Sequence, residues 1–202
     1  MTVITGPLLP IVVVDNAEHA EALGTALLDG GINQVEVTLR TEAAVEVIRR
    51  LAAIPELTVG AGTVLSATDV DRVTDAGAKF LISPGWDEKV HQSALDHGVP
   101  WFPGVATATE LMTARSAGIK TVKLFPAAQL GGTAFIDALT AAFPGTTFLP
   151  SGGINIAEVP EYLRRPSVLA VGGSWIAGRS LIASGSFIEI EDSCRNAMRT
   201  LQ

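Results

Sequence analysis

The sequence predicts an α/β protein of the (β/α)8 TIM-barrel class, and three observations carry that prediction. Short β-branched runs recur roughly every 20 to 26 residues, and amphipathic helical patterns lie between them. The predicted strands are almost continuously apolar, which is typical of a parallel sheet covered on both faces. Eight such units in 202 residues fall at the lower end of the barrel's size range. The alternative is a doubly wound open sheet, but Asp15-Asn16-Ala17 stands where that fold would place a glycine-rich loop.

The eight strands are predicted at β-branched and apolar segments in the following order: Ile11–Val14, Gln34–Leu39, Leu57–Gly62, Lys79–Ser83, Trp101–Val105, Thr121–Phe125, Thr147–Pro150 and Val168–Val171. No linker or low-complexity tract separates them. We therefore predict that residues 1–202 form a single domain.

The helices between the strands have recognisable starts and stops. Ser66-Ala67-Thr68-Asp69 and Thr107-Ala108-Thr109-Glu110 fit the capping-box pattern, in which the first and fourth residues bond each other's backbone N–H. Gly30-Gly31, Gly77 and Gly118 are predicted to end helices, where a left-handed residue is favoured.

Composition excludes several classes of function. The chain has 21 acidic and 14 basic residues, and this net charge of −7 disfavours nucleic acid and anionic membranes as partners. No apolar run approaches the roughly 18 residues of a membrane-spanning helix. The single cysteine, Cys194, and the absence of lysine and arginine before Arg40 favour a cytoplasmic protein without disulfides or a signal peptide. His19, His91 and His97 all lie in helical stretches, so we expect no metal site.

Lys123 is the most informative residue, because it stands late in the apolar run Thr121–Pro126. Desolvation there would lower the pKa of its ammonium group and favour the free amine. A lysine in this state attacks carbonyl carbons and forms Schiff bases. The alternative, about equally open from this feature alone, is a lysine whose head group reaches water at the end of the strand.

Acidic and cationic groups also stand at the end of the second predicted strand. Glu36, Thr38 and Arg40 are two residues apart and so share one face of that strand. A partly buried glutamate can act as a general acid/base, whereas an ion pair of Glu36 with Arg40 or Lys123 could simply fill the barrel. Arg40 could clamp a substrate carboxylate or lie at the surface, and Thr63 could help bind that carboxylate or cap the next helix.

Glycine-rich turns follow the last two predicted strands. Ser151-Gly152-Gly153 comes after the seventh and Gly172-Gly173-Ser174 after the eighth, where barrels often bind phosphate through backbone N–H groups. Turns that merely connect a strand to a helix are the alternative. A Schiff-base lysine, an acid/base glutamate, a carboxylate clamp and a phosphate site together suggest a class I aldolase for a phosphorylated 2-keto acid. A non-covalent sugar-phosphate isomerase or decarboxylase, and a barrel that only binds a phosphorylated metabolite, remain as rivals.

Six motifs carry a resemblance to a known family. In chain order they are Glu36-Val37-Thr38-Leu39-Arg40-Thr41, Gly60-Ala61-Gly62-Thr63-Val64-Leu65, Ile82-Ser83-Pro84-Gly85, Lys123-Leu124-Phe125-Pro126-Ala127, Ser151-Gly152-Gly153-Ile154 and Gly172-Gly173-Ser174-Trp175. From about Pro10 onward the chain resembles the family of 2-keto-3-deoxy-6-phosphogluconate (KDPG) and 4-hydroxy-2-oxoglutarate (KHG) aldolases. The resemblance implies a (β/α)8 barrel, a homotrimer, and cleavage of KDPG to pyruvate and glyceraldehyde 3-phosphate without a metal or other cofactor. Activity on KHG, or a preference for the galactonate epimer of KDPG, is also compatible with it.

The resemblance assigns a role to each matching residue. It implies that Lys123 forms the Schiff base and that Glu36 is the general acid/base. The remaining substrate contacts it implies are Arg40 and Thr63 for the pyruvate half, Pro84 and Phe125 for the wall of its pocket, and Gly152, Gly153, Gly173 and Ser174 for the phosphate.

Three positions depart from the family's usual residues. Ser151 replaces a common threonine that is expected to face the substrate hydroxyls, and this change puts discrimination between sugar epimers in doubt. Leu124 and Ala128 replace a common phenylalanine and a common acid, and neither touches the implied chemistry.

Overall fold

The fold, taken from a computed structural model that describes residues 3–201, alternates strands with helices along the chain. The strands are β1 Leu8–Val12, β2 Gln34–Thr38, β3 Thr58–Gly62, β4 Phe80–Ile82, β5 Trp101–Phe102, β6 Gly104–Val105, β7 Thr121–Leu124, β8 Thr147–Pro150 and β9 Val171–Gly173. The helices are α1 Ala20–Asp29, α2 Ala44–Ala52, α3 Ala67–Asp75, α4 Glu88–Asp96, α5 Ala108–Ser116, α6 Gly132–Ala142, α7 Val159–Leu163, α8 Arg179–Ala183 and α9 Phe187–Arg199, with short 3-10 turns at Ala17–His19 and Ile156–Glu158.

The strands pair in parallel within two sheets, which confirms the predicted parallel α/β class. One sheet has the order β5-β4-β3-β2-β1-β9 and the other has the order β6-β7-β8. Pro103, which has no N–H to donate, separates β5 from β6 within the single strand that was predicted there. The described residues thus form two sheets, where the sequence predicted one closed ring of eight strands.

The first and last strands differ most from their predicted positions. β1 begins at Leu8, three residues before the predicted start, because its parallel pairing with β9 runs through Pro10. The Gln34 side chain fixes this segment by donating hydrogen bonds to the carbonyls of Gly6 and Leu8, at 3.0 and 2.7 Å. β9 starts at Val171, where the predicted strand ends, and Val168 makes only an isolated bridge to Phe148.

The helix ends follow the predicted signals with one exception. Thr107 and Glu110 form the reciprocal capping box at the start of α5. Ser66 caps α3 by accepting a hydrogen bond from the Asp69 N–H, but the Asp69 carboxylate bonds the N–H of Leu65 instead of Ser66. Gly31 and Gly77 have the left-handed φ angles of 86° and 99° expected at helix ends.

Apolar side chains fill both faces of the sheets, as the continuous apolar strands predicted. Leu8 belongs to a large cluster that packs against the helices, and the adjacent Leu9 belongs to a smaller cluster on the opposite face. The smaller cluster consists of Ile4, Leu9, Phe80, Ile82, Phe102, Leu149 and Ala170, contributed by several strands. Across residues 3–201, we find no helix with the length and apolarity needed to span a bilayer.

Candidate active site

A cavity of about 240 Å³ lies where the carboxyl ends of β7, β8 and β9 meet the end of β2. Its wall includes these predicted site residues: Arg40, Lys123, Phe125, Ser151, Gly152, Gly153, Gly173 and Ser174. Because these residues come from four separate strand ends, the fold brings together groups that lie far apart in the sequence.

Lys123 and Glu36 form a buried ion pair beside this cavity. Lys123 is 8% exposed and Glu36 1% exposed, and the Lys123 Nζ donates a hydrogen bond of 3.3 Å to the Glu36 Oε1. The other three lysines, at positions 79, 89 and 120, are exposed. The head group of Lys123 therefore does not reach open solvent at the strand end, and instead lies 5.4 Å from the centre of the Phe125 ring at the cavity wall.

Gly62 creates the space that Glu36 occupies. A Cβ atom at position 62 would lie 2.1 Å from the Glu36 Oε1, far inside van der Waals contact. β2 and β3 pair directly, with Thr38 opposite Gly62, so the carboxylate of Glu36 lies over the end of the neighbouring strand. The glycine is therefore required for the orientation of Glu36 toward Lys123.

Arg40, Thr63 and Pro84 follow the ends of β2, β3 and β4. Arg40 is exposed and lines the cavity, whereas Thr63 and Pro84 lie outside the cavity wall. Thr63 has a φ of +57°, a conformation that is strained for a β-branched residue and unique to it among non-glycine residues 3–201. Strain of this kind typically costs about 1–3 kcal/mol and concentrates at functional sites.

Ser151 and the loop after it contain polar atoms that make no hydrogen bond within the described residues. Ser151 is 3% exposed, and its Oγ makes no hydrogen bond within the described part of the chain. Gly152 and Gly153 have φ angles of 94° and 77°, which only glycine adopts readily. The backbone N–H groups of Gly153 and Ser174 likewise donate no hydrogen bond to any of residues 3–201. Unpaired backbone donors gathered in one concavity are suited to an anion.

An ion pair connects two of the segments around the site. The Arg179 guanidinium at the start of α8 donates two hydrogen bonds, of 2.6 and 2.8 Å, to the Asp15 carboxylate that follows β1. These hydrogen bonds hold the pKa of Asp15 below its usual value. The pair fixes the segment after β9 relative to the end of β1.

Ile11, Ile154 and Trp175 line the cavity but were not among the predicted site residues. Ile11 and Ile154 are apolar and carry no chemical signal in the sequence. Trp175 ends the Gly-Gly-Ser-Trp motif, and that position is the one signal that could have identified it. Within residues 3–201, no group of three or more His, Cys, Asp and Glu side chains is arranged to hold a metal ion.

The chain is similar to known proteins over almost its whole length. The family model for KDPG and KHG aldolase matches residues 2–193 of the chain. Among curated proteins, the KHG/KDPG aldolase of Escherichia coli K12 is 42% identical over 195 residues, which cover 96% of this chain and 92% of that protein.

Solved structures show the same fold. The KDPG aldolase of Legionella pneumophila, with pyruvate captured at low pH as a covalent carbinolamine intermediate, has a TM-score of 0.92 and 37% identity, over 96% of this chain and 95% of that chain. The 2-keto-3-deoxy-6-phosphogluconate aldolase of Zymomonas mobilis ZM4 with 3-phosphoglycerate has a TM-score of 0.88 and 36% identity, over 96% and 92%.

Proposed function

The chain belongs to the family of KDPG and KHG aldolases, and we propose that it cleaves KDPG to pyruvate and glyceraldehyde 3-phosphate. As an aldolase it is a lyase, and KHG is a second expected substrate. The observation that carries the proposal is the buried pair of Lys123 and Glu36 beside a small cavity whose wall contains unpaired backbone donors. A nucleophile, an acid/base and an anion site are the groups that a class I aldolase of a phosphorylated 2-keto acid requires.

Covalent chemistry begins at Lys123. Its ammonium group must lose a proton before it can attack, and the Glu36 carboxylate at 3.3 Å is placed to accept that proton. The free amine adds to the C2 ketone to give a carbinolamine, which loses water to form a protonated imine. The captured pyruvate in the Legionella pneumophila enzyme is an intermediate of this kind.

Bond cleavage then uses the imine as an electron sink. Glu36, directly or through a water, removes the proton of the C4 hydroxyl group as the C3–C4 bond breaks. The aldehyde leaves and an enamine of pyruvate remains on Lys123. Glu36 returns a proton to C3 of the enamine, and hydrolysis of the resulting imine releases pyruvate and the free amine.

The remaining groups orient the substrate. We assign the substrate carboxylate to Arg40, whose planar guanidinium suits it, and to the hydroxyl group of Thr63. Pro84 and Phe125 are assigned to the wall of the pyruvate pocket, and the Ser151 hydroxyl group to the substrate hydroxyls. We assign the phosphate to the backbone of Gly152, Gly153 and Gly173 and to Ser174. These assignments follow the family resemblance and the placement of most of these residues around one cavity.

We also infer that the two sheets are arcs of a single (β/α)8 barrel. Only Pro103 separates β5 from β6, and the N–H of Lys123 on β7 donates to the carbonyl of Pro103. On the other side, isolated parallel bridges join Phe148 of β8 to Val168, and Ser151 to Gly172 of β9. The homotrimer implied by the resemblance and the cytoplasmic location predicted from the sequence stay predictions.

Pyruvate release from KDPG tests the proposed function. The purified protein is expected to release one pyruvate and one glyceraldehyde 3-phosphate per KDPG consumed. Lys123→Ala should reduce this activity to background, whereas Lys89→Ala, which changes an exposed lysine on α4, should leave it unchanged. Correctly folded protein that releases no pyruvate, or a Lys123→Ala variant that retains turnover, would contradict the proposal.

A further inference from the structure

Thr63 is held in a left-handed backbone conformation beside the buried ion pair. Its φ of +57° is unfavourable for a β-branched residue, and such a conformation persists only where the surrounding contacts fix it. Gly62, directly before Thr63, packs against the Glu36 carboxylate, so this segment lies next to the groups proposed to do the chemistry. The contacts that hold Thr63 therefore determine where its hydroxyl group stands at the site.

Hydrogen bonds fix the peptide groups on both sides of Thr63. The carbonyl of Gly62, before it, accepts a hydrogen bond of 2.9 Å from the N–H of Leu39, which follows β2. The N–H of Val64, after it, donates a hydrogen bond of 3.1 Å to the carbonyl of Ile82, the last residue of β4. Both bonds use only backbone atoms, so they form with any side chains at these positions.

Two buried side chains, Ser83 and Trp101, add a further hydrogen bond to this segment. The Ser83 Oγ donates to the Val64 carbonyl at 2.7 Å, and the Trp101 Nε1 donates to the Ser83 Oγ at 2.8 Å. Ser83 is 3% exposed and Trp101 6% exposed, so both bonds are shielded from solvent. Because an indole N–H can only donate, Trp101 uses the Ser83 oxygen as an acceptor and leaves its one hydrogen for Val64.

The Trp101 ring is fixed by its own neighbours and lies away from the cavity. The rings of Trp86 and His91 lie 5.1 and 5.7 Å from its centre, and β5 pairs Trp101 with Leu81 of β4. Neither Trp101 nor Ser83 lines the cavity wall. Any effect of these two side chains on the reaction must therefore be transmitted through the segment that they hold.

We propose that Ser83 and Trp101 are positioning residues that hold Thr63 in place for the carboxylate of the 2-keto acid. The proposal rests on the proposed function, which assigns the Thr63 hydroxyl group to that carboxylate. Removal of the Ser83 oxygen would leave the Val64 carbonyl and the Trp101 N–H buried without partners, and the strained segment would relax. KDPG and KHG share the 2-keto acid carboxylate, so binding of both substrates depends on this support.

Hydrogen exchange of backbone amides tests the support without any substrate. The amide of Val64 reports on the bond that follows Thr63, and the hydrogen-bonded amide of Phe148 reports on the distant strand β8. In Ser83→Ala the Val64 amide should exchange roughly tenfold faster or more, with the Phe148 amide unchanged. Equal acceleration of the two amides would indicate a global loss of stability, and no acceleration would show that Ser83 does not hold the segment. Either result overturns the proposal.

Kinetics of matched variants test the consequence for substrate binding. Trp101→Phe keeps an aromatic ring and removes the donor, whereas Trp86→Phe changes a neighbouring ring that takes no part in these hydrogen bonds. We expect Ser83→Ala and Trp101→Phe to raise KM for KDPG and KHG alike, by several-fold to about tenfold, with kcat changed less than twofold. Both constants should change less than twofold in Trp86→Phe. A fall in kcat at unchanged KM would mean that only folded enzyme was lost, and would overturn the proposal.

A second substitution shows whether the effect passes through Thr63. Thr63→Ala alone should raise the same two KM values, and addition of Ser83→Ala to it should change them less than twofold further. Unchanged KM in Thr63→Ala, or full additivity of the two substitutions, would overturn the proposal and leave the aldolase intact. A wild-type protein that cleaves neither substrate overturns the proposed function instead, and the exchange rate of the Val64 amide then decides alone whether Ser83 holds this segment.

Discussion

The Nζ of Lys123 lies 3.3 Å from the Oε1 of Glu36, although 87 positions separate the two residues and they belong to strands of different sheets. Both are almost fully buried, and a charge in such a place is tolerated only with a partner close by. The pair is therefore the part of the site on which the proposed covalent mechanism depends most directly.

Glu36→Gln separates the acid/base role of this carboxylate from its packing. The amide has nearly the same shape but cannot exchange protons at neutral pH, so the imine with pyruvate should still form. Proton exchange at the pyruvate methyl group in deuterated water should slow about a hundredfold or more, which is the usual contribution of general acid/base catalysis. NMR of pyruvate measures this exchange. An unchanged exchange rate would reduce Glu36 to a structural partner of Lys123.

Gly62→Ala should disturb Glu36 without changing any ionisable group. The new Cβ atom would lie 2.1 Å from the Oε1 of Glu36, so the carboxylate must move away from Lys123. Because displacement of about 1 Å can cost roughly a hundredfold in rate, we expect a loss of that size in kcat/KM. Gly178→Ala is the control, since its Cβ would meet nothing within 4 Å. Equal activity in the two variants would show that Glu36 needs no such space.

Ser151→Ala should lower activity without lowering stability. The Oγ of Ser151 is buried and unpaired, so its removal costs the folded protein no hydrogen bond within residues 3–201. If that oxygen binds a substrate hydroxyl group, kcat/KM for KDPG should fall several-fold to about tenfold, and the preference between the C4 epimers should narrow. Ser151→Thr keeps the hydroxyl group and should therefore keep a preference between the C4 epimers. An epimer ratio that is the same in wild type and Ser151→Ala would argue that this hydroxyl group faces no substrate.

Cys194 should be chemically inert in the native protein. Burial in α9, where its exposure is 0%, raises the pKa of this thiol from 9.0 to about 12, with a smaller contribution from Glu191. Alkylation by iodoacetamide at pH 8 should therefore be very slow in native protein and complete in urea, because the thiolate is the reactive form. The unfolded protein loses this proton at a lower pH than the folded protein does. The free energy of unfolding should therefore decrease as the pH rises above 9. Labelling at the rate of a free thiol under native conditions would contradict the burial.

The sequence identified residues whose chemistry conflicts with their surroundings. Lys123 and Glu36 stand in apolar strands, where a charged group has few explanations, and parallel strands place their carboxyl ends at one edge. That conflict predicts a functional role for both residues, and in the structure their side chains form an ion pair. The glycine-rich segments at the ends of β8 and β9 are predicted for a different reason, because glycines there let backbone N–H groups approach an anion.

Other features depend on contacts between segments that a linear pattern does not encode. The role of Gly62 follows from its distance to Glu36, and nothing in the local sequence distinguishes it from Gly60. Trp175 is not predicted to line the site, because an aromatic residue after a turn is usually part of the core. The early start of β1 is stabilised by the distant side chain of Gln34, and Pro103 divides a strand that its apolar neighbours predicted to be continuous.

The covalent role of Lys123 is the central claim, and borohydride reduction in the presence of pyruvate tests it most directly. Intact-mass and peptide mass spectrometry should find one reduced pyruvyl adduct per chain, located on Lys123 and absent from Lys79, Lys89 and Lys120. Lys123→Ala should form none under the same conditions. A correctly folded protein without an adduct, or with the adduct on another lysine, would contradict the account and favour a non-covalent sugar-phosphate enzyme.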